Sequence, residues 1–202
     1  SNSKKYSFFA YYPIENDHVT LVNTADGTDY TKGVPAIKYT MGGTDFKESM
    51  VDVMVATPHT NLDGSSSRVT NADVEFSFNH CLAALGLNIE NASTATIHLT
   101  AVTLSLSNIQ NSTAIIALDG SSEAYEGSVS NKVCGITLPY GGIDLETEDS
   151  AELSDKLILI PQSEDLSVGL TINYKRTYSN VTVMDGQTFT TSTPLTTALT
   201  KG

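Results

Sequence analysis

The 202-residue sequence predicts an all-β chain built as a β-sandwich. Three observations carry that expectation. Apolar and polar residues alternate with period two in many short segments, the spacing that turns one face of a strand toward a core. Four Asp-Gly pairs, at Asp26, Asp63, Asp119 and Asp185, mark tight turns between such segments. About a dozen of these segments recur at roughly the 8–12-residue spacing of a sandwich, and they are rich in Thr, Ser and β-branched residues.

Taken in order, Tyr6–Tyr12 (YSFFAYY) is a dense aromatic strand stopped by Pro13, and residues 14–33 are polar. Val34–Met41 alternates weakly around Ile37 and Tyr39, with a turn at Gly42-Gly43. Met50–Ala56 (MVDVMVA) is a firm strand ended by Thr57-Pro58, because proline donates no backbone hydrogen bond. Leu62–Asn71 reads as a loop. The rest of the chain is expected to pack around Val74–Ile89 (VEFSFNHCLAALGLNI). There Val74, Phe76 and Phe78 alternate with polar residues as a core strand. Cys81–Leu85 then fits about one helical turn that Gly86 ends, and Leu87 and Ile89 resume period two. Thr94–Leu106 reads as one or two strands, and Ile115–Leu118 runs into the Asp119-Gly120 turn. Val129–Leu138 is a strand ended by Pro139, and Gly141–Asp155 is an acidic loop. Lys156–Ile160 is a nearly continuous apolar run, as expected of a strand buried on both faces. Val168–Tyr174 places Val168, Leu170, Ile172 and Tyr174 on one face, and residues 181–190 read as a hairpin around Asp185-Gly186. Glu48–Val53 and His80–Leu85 are the segments with room for a brief helix. A compositional seam at Glu90–Thr94 divides the chain into 1–92 and 93–202.

The formal net charge is -12, which argues against nucleic acid or an anionic membrane surface as partner and favours colloidal solubility. No apolar run approaches the ~18 residues that cross a bilayer. No signal peptide opens the sequence, so the chain is expected to be cytosolic, already processed or trimmed. Cys81 and Cys134 sit in apolar segments with no CxxC or Cys/His neighbour, so free buried thiols are expected and a zinc site is not. His18, His59, His80 and His98 are scattered, and His80, which follows a core strand, reads as structural rather than as a general base. No P-loop, Gly-rich dinucleotide loop or nucleophile elbow occurs. Asp144, Glu146, Glu148, Asp149 and Glu152 lack the ligand order of an EF-hand and read as a solvated charge run. Sequons at Asn91, Asn111 and Asn180 have meaning only in a source that glycosylates. No enzyme activity, metal or cofactor is expected.

The order of the motifs adds a resemblance. Phe8–Pro13 (FFAYYP), Asp52–Ala56 (DVMVA), Val74–Ile89, Leu157–Gln162 (LILIPQ) and Val168–Tyr174 (VGLTINY) occur in this sequence. They resemble, in that order, the fimbrillin family of Gram-negative anaerobes, and His80 matches the family histidine. The resemblance covers most of residues 6–202. It implies two transthyretin-like (immunoglobulin-like) β-sandwich domains in tandem, here 1–92 and 93–202, in an exported, lipid-anchored precursor. It also implies a fimbrial stalk or tip subunit, or adhesin, at the cell surface. The partners implied are other fimbrial subunits, joined by β-strand addition, and host or bacterial surface ligands. Contact with the outer membrane is implied only through a lipid anchor on the precursor.

Two departures matter. The family's anchor cysteine and opening strands have no counterpart before Phe8, and the chain stops at Gly202 where a Tyr-rich last strand would begin. The resemblance therefore implies an open polymerisation edge, with Tyr6 and Phe8 at one end and Leu195 and Leu199 at the other. The competing reading is a surface module that binds carbohydrate or another ligand, with Tyr125, Tyr140 and Tyr178 near turns as stacking platforms.

Overall fold

The computed structural model describes residues 5–24, 33–42, 47, 50–63, 74–153, 156–179, 181–191 and 195–201. Among these residues every regular element is a β-strand, and no helix is long and apolar enough to cross a membrane. Strands are numbered in chain order.

The largest sheet is built on β10 (Thr96–Ile109) and β17 (Gln162–Tyr178), 14 and 17 residues long. They pair antiparallel from Thr96↔Thr177 to Ser107↔Ser167. Their inner faces match in register: Leu99 opposes Tyr174, Val102 opposes Ile172, Leu104 opposes Leu170 and Leu106 opposes Val168. The inward residues of β10 are odd-numbered up to Leu99 and even-numbered from Val102 to Leu106. The register shift between Leu99 and Ala101 absorbs that change of phase, which is why Thr94–Leu106 reads from sequence as either one strand or two. On the far side of β10 lie β13 (Ser130–Ile136) and β14 (Ile143–Leu145). On the far side of β17 lie β18 (Val181–Thr190) and β19 (Leu195–Leu199).

A second sheet has the order β12 (Glu123–Glu126), β11 (Thr113–Ala117), β4 (Pro35–Thr40), β3 (Val19–Asn23). A third joins β2 (Tyr11–Tyr12), β5 (Met54–Ala56) and β7 (Phe78–His80). Three two-stranded pairs complete the set: β1 (Lys5–Phe8) with β6 (His59–Asp63), β8 (Ala83–Leu85) with β16 (Leu157–Leu159), and β9 (Asn88–Glu90) with β15 (Ser150–Glu152). Their apolar faces meet in one core, in which Ile37, Tyr39 and Val53 pack with Leu99, Leu104, Leu157 and Leu166. Faces sharing an apolar interior are the arrangement of a β-sandwich. Each such Leu, Ile or Val side chain gains about 1.5–3 kcal/mol from leaving water.

Several expectations are corrected. The seam at 92/93 does not separate the hydrogen bonding, because three pairings cross it: β11 with β4, β15 with β9, and β16 with β8. Period-two patterns identify strands but not their partners, so a change in local composition says nothing of which strands pair. The predicted helical turn at His80–Leu85 is absent. The chain passes from β7 through Cys81 and Leu82 into β8, whose backbone bonds go to Leu157–Leu159 instead of to a local turn. Phe78 is 45% exposed, and the inward run shifts to Cys81, Leu82 and Ala83.

The acidic stretch 141–155 is not one loop, since it contributes β14 and β15 to β10 and β9. The hairpin placed at Asp185-Gly186 is instead a continuous β18, and the turn lies between Tyr178 and Val181. Asp185-Gly186 is an irregularity inside the strand, with Gly186 at φ +64° opposite a register shift in β17. Strand β3 lies in a stretch read as polar, β6 runs into the stretch read as loop from Leu62, and β12 lies between the Asp119-Gly120 turn and the strand expected from Val129, where no element was expected. Asp119-Gly120 is a turn as expected: Gly120 N donates to Ala117 O at 3.1 Å, and Ser121 N donates to the Asp119 carboxylate at 2.9 Å. The Asp26-Gly27 turn and residues 48–49 of the other helix candidate lie outside the described residues.

Candidate functional site

Three of the sequence motifs come together in one small sheet. Tyr11, Val55 and Asn79 stand in register across β2, β5 and β7, as do Tyr12, Met54 and His80. The FFAYYP, DVMVA and VEFSFNH segments are therefore neighbours in space, each ended where the sheet stops. His80 Nδ1 lies 2.9 Å from Asp52 Oδ1, and both side chains are exposed. The fourth motif makes a corner. Leu157, Leu159, Ile160 and Pro161 are buried. Gln162 accepts a hydrogen bond from Gln110 N at 3.0 Å and donates to Asn108 O at 3.0 Å and Glu164 O at 2.8 Å. The buried amide thus fixes the bend between β10 and β11.

The residues expected at a polymerisation edge fall on two different sheets. Tyr6 pairs with Leu62 and Phe8 with His59, and Phe8 is 38% exposed. Leu195 pairs with Val168 and Leu199 with Gln162, and Leu199 is 5% exposed. Among the described residues, β1 has β6 as its sole strand partner and β19 has β17. One side of each therefore carries backbone groups that no described strand occupies.

Beyond β19, Lys201 reaches across to β12. Its ammonium pairs with the Glu123 carboxylate, which also accepts a hydrogen bond from the Tyr125 hydroxyl at 2.8 Å. Burial pushes the Glu123 carboxyl up, but the hydrogen bonds from Lys201 and Tyr125 outweigh it and hold the group below the usual carboxylate range. The hydrogen bond to Glu123 raises the Lys201 ammonium. Burial, then Glu123, raises the Tyr125 phenol. The buried Cys81 thiol lines the small cavity behind this cluster and is itself pushed up by burial. Cys81 and Cys134 are both buried and unbridged. Of the three tyrosines considered as stacking platforms, Tyr140 is fully exposed, Tyr178 is 60% exposed and Tyr125 is half-buried.

An apolar groove of about 410 Å³ opens on the inner face of the β10–β17 sheet. Ile97, Tyr174, Arg176 and Phe189 form its floor and rim, and the segment Ile89–Ser93 forms its wall. Asn91 stiffens that wall: its buried amide donates to Ala95 O at 2.8 Å, Leu145 O at 2.9 Å and Glu146 O at 3.0 Å. Sequence reasoning missed the groove. The available signal was Arg176, one of two arginines in the chain, which continues the inward series Val168, Leu170, Ile172, Tyr174.

A family model for fimbrillin-like proteins matches residues 1–202. The chain belongs to the fimbrillin-like family. No curated protein sequence matches it. Among solved structures this fimbrillin-like chain is similar to that of a candidate cell adhesion protein from Bacteroides uniformis ATCC 8492, with 19% identity and a TM-score of 0.47. The match covers 96% of this chain and 65% of that protein, so the chain spans about two thirds of its length. The family of β proteins expected from the motif order is thus the family found. Among the described residues no group of three or more His, Cys, Asp or Glu side chains is placed to hold a metal ion.

Proposed function

We propose that this chain is a non-enzymatic subunit of a surface fimbria or adhesin and that it assembles with other subunits by β-strand addition. The observation that carries the proposal is the match to the fimbrillin-like family across the whole chain. Two features support the mode of assembly. Strands β1 and β19 each have one strand partner among the described residues, and a strand edge that no second strand pairs is ready to accept one. A donor and an acceptor edge are different surfaces, so the contact is head-to-tail and extends into a filament. In this reading the two transthyretin-like sandwiches are lobes that exchange strands across 92/93. The chain is exported, and its precursor carries the lipid anchor that holds it at the outer membrane.

Two measurements test the proposal. Cell fractionation is expected to find the protein at the cell surface, and a purely cytosolic location overturns that part. Analytical ultracentrifugation at rising concentration is expected to show chains of subunits that peptides spanning residues 5–12 or 195–201 cap. Phe8→Lys, which puts a charge on the β1 edge, is expected to weaken them. A strict monomer indifferent to both peptides overturns assembly by strand addition.

A further inference from the structure

We infer that the groove on the inner face of the β10–β17 sheet is a binding site for an amphipathic monoanion: an apolar chain or ring system that ends in a carboxylate. The site is separate from the strand edges proposed for assembly. Its volume, about 410 Å³, lies within the roughly 300–1,000 Å³ of small-molecule sites. Its floor is set by register. Ile97 opposes Arg176 on one row, and Ile172 opposes Phe189 two rows away, so an apolar strip leads from an exposed ring to a guanidinium. Phe189 is 50% exposed, an aromatic face left in water at the rim.

Arg176 decides the chemistry. It is half-buried beside Ile97, Tyr174 and Phe189, in a lining whose other polar side chains are those of Glu90, Asn91 and Ser93, and it forms no ion pair among the described residues. A guanidinium withdrawn from water without a counter-charge is unfavourable, and a carboxylate that meets it side-on makes two parallel charge-assisted hydrogen bonds. Glu90 also lines the groove and is exposed. Its charge disfavours a second negative group on the ligand, which selects a monoanion over a phosphate or a polyacid. The wall cannot close over the floor, because the Asn91 amide ties it to three backbone carbonyls. The opening is therefore preformed.

The test uses the whole chain with labelled isoleucine methyl groups, titrated with decanoate and with decanol below their aggregation limits. The Ile97 and Ile172 resonances are expected to shift saturably, with decanoate binding at least tenfold more tightly than decanol. High salt is expected to narrow that ratio. Arg176→Gln, folded by circular dichroism, is expected to bring the ratio to about one, and Phe189→Ala to weaken both ligands. Equal affinity for the two ligands in the native chain overturns the inference, as does the absence of saturable shifts. Displacement of decanoate by an extended peptide spanning residues 5–12 or 195–201 also overturns it, because the groove would then be a strand acceptor.

Discussion

Asn91 occupies a glycosylation sequon, yet its side chain is 5% exposed and its amide serves three carbonyls while its oxygen accepts from Ser93 N at 3.0 Å and Ser93 Oγ at 2.7 Å. The position is structural, since a glycan on Nδ2 would remove the bonds that hold the crossover from β9 to β10. Removing the amide leaves several buried groups without partners, each costing about 1–3 kcal/mol. Asn91→Ala is therefore expected to lower stability by about 3 kcal/mol in urea denaturation, and a change under 1 kcal/mol would show that water replaces the amide. The glycines of the 137–142 turn make a sharper comparison. Gly141 and Gly142 both have positive φ, +90° and +89°. A Cβ on Gly141 would meet open space, whereas one on Gly142 would stand 2.3 Å from Leu99 O. Gly141→Ala is expected to cost about 1 kcal/mol for the left-handed backbone, and Gly142→Ala clearly more, because backbone must move. Equal melting points for the two variants would refute the steric account. Little of this was legible in the sequence. A sequon and a Gly-Gly pair look alike whether buried or exposed, and the roles of Asn91 and Gly142 depend on residues distant in the chain, Leu145 and Glu146 for the one and Leu99 for the other.

Among the elements, β10, β13 and β17 were the most legible, because each carries apolar residues at alternate positions over a sustained run. The short ones were not. Strand β12, EAYE, has three exposed residues of four, and β15, SAE, has two of three. Neither has an apolar face to announce it, and both exist because a neighbour offers backbone partners. The helical reading of Cys81–Leu85 failed for the same reason: five residues do not distinguish the two periods, and β16 supplies the backbone hydrogen bonds. The central pair β10–β17 carries a further expectation. Leu104 is 2% exposed and stands between Cys134 and Leu170 in register. Leu104→Ala is expected to lose about 2–5 kcal/mol, the range for a large core residue replaced by alanine. The same variant should expose the buried Cys134 thiol to alkylation. In the native chain both thiols are expected to resist iodoacetamide, and unfolding without reductant should yield two adducts. A single adduct, or none, would mean that the free thiols are bridged or otherwise blocked.

The whole molecule is held by contacts that ignore chain order, and the Lys201–Glu123 pair is one that can be titrated. Glu123 is held below its ordinary value, so its contribution is present above the unfolded carboxyl pKa of about 4.3 and is lost as pH falls through the folded value. Lys201 is raised, so its contribution is present below about 10.4 and is lost as pH rises through the folded value. The difference in melting point between the native chain and Glu123→Gln is therefore expected to be steady near neutrality and to shrink as pH drops below 4. A difference that does not change with pH would show that the pair adds nothing. Strand exchange makes a larger claim. Strand β11 takes its central hydrogen bonds from β4, and β16 and β15 take theirs from β8 and β9, so each side of 92/93 leaves unpaired strands in the other when removed. Burial agrees, since Ile37 and Val53 share a core with Leu104 and Leu157. Two independent sandwiches would melt in two steps, and a fragment of residues 93–202 would keep its own. Interlocked lobes should instead unfold in one cooperative transition, with the calorimetric and van't Hoff enthalpies in agreement. The 93–202 fragment, deprived of β4, β9 and β8, should show little amide protection in β11, β15 and β16 in hydrogen exchange. Adding residues 1–92 in trans should restore that protection, because the missing strands then return as partners. A fragment that folds alone with native protection in β11 and β16 would show that these strands do not need the first 92 residues.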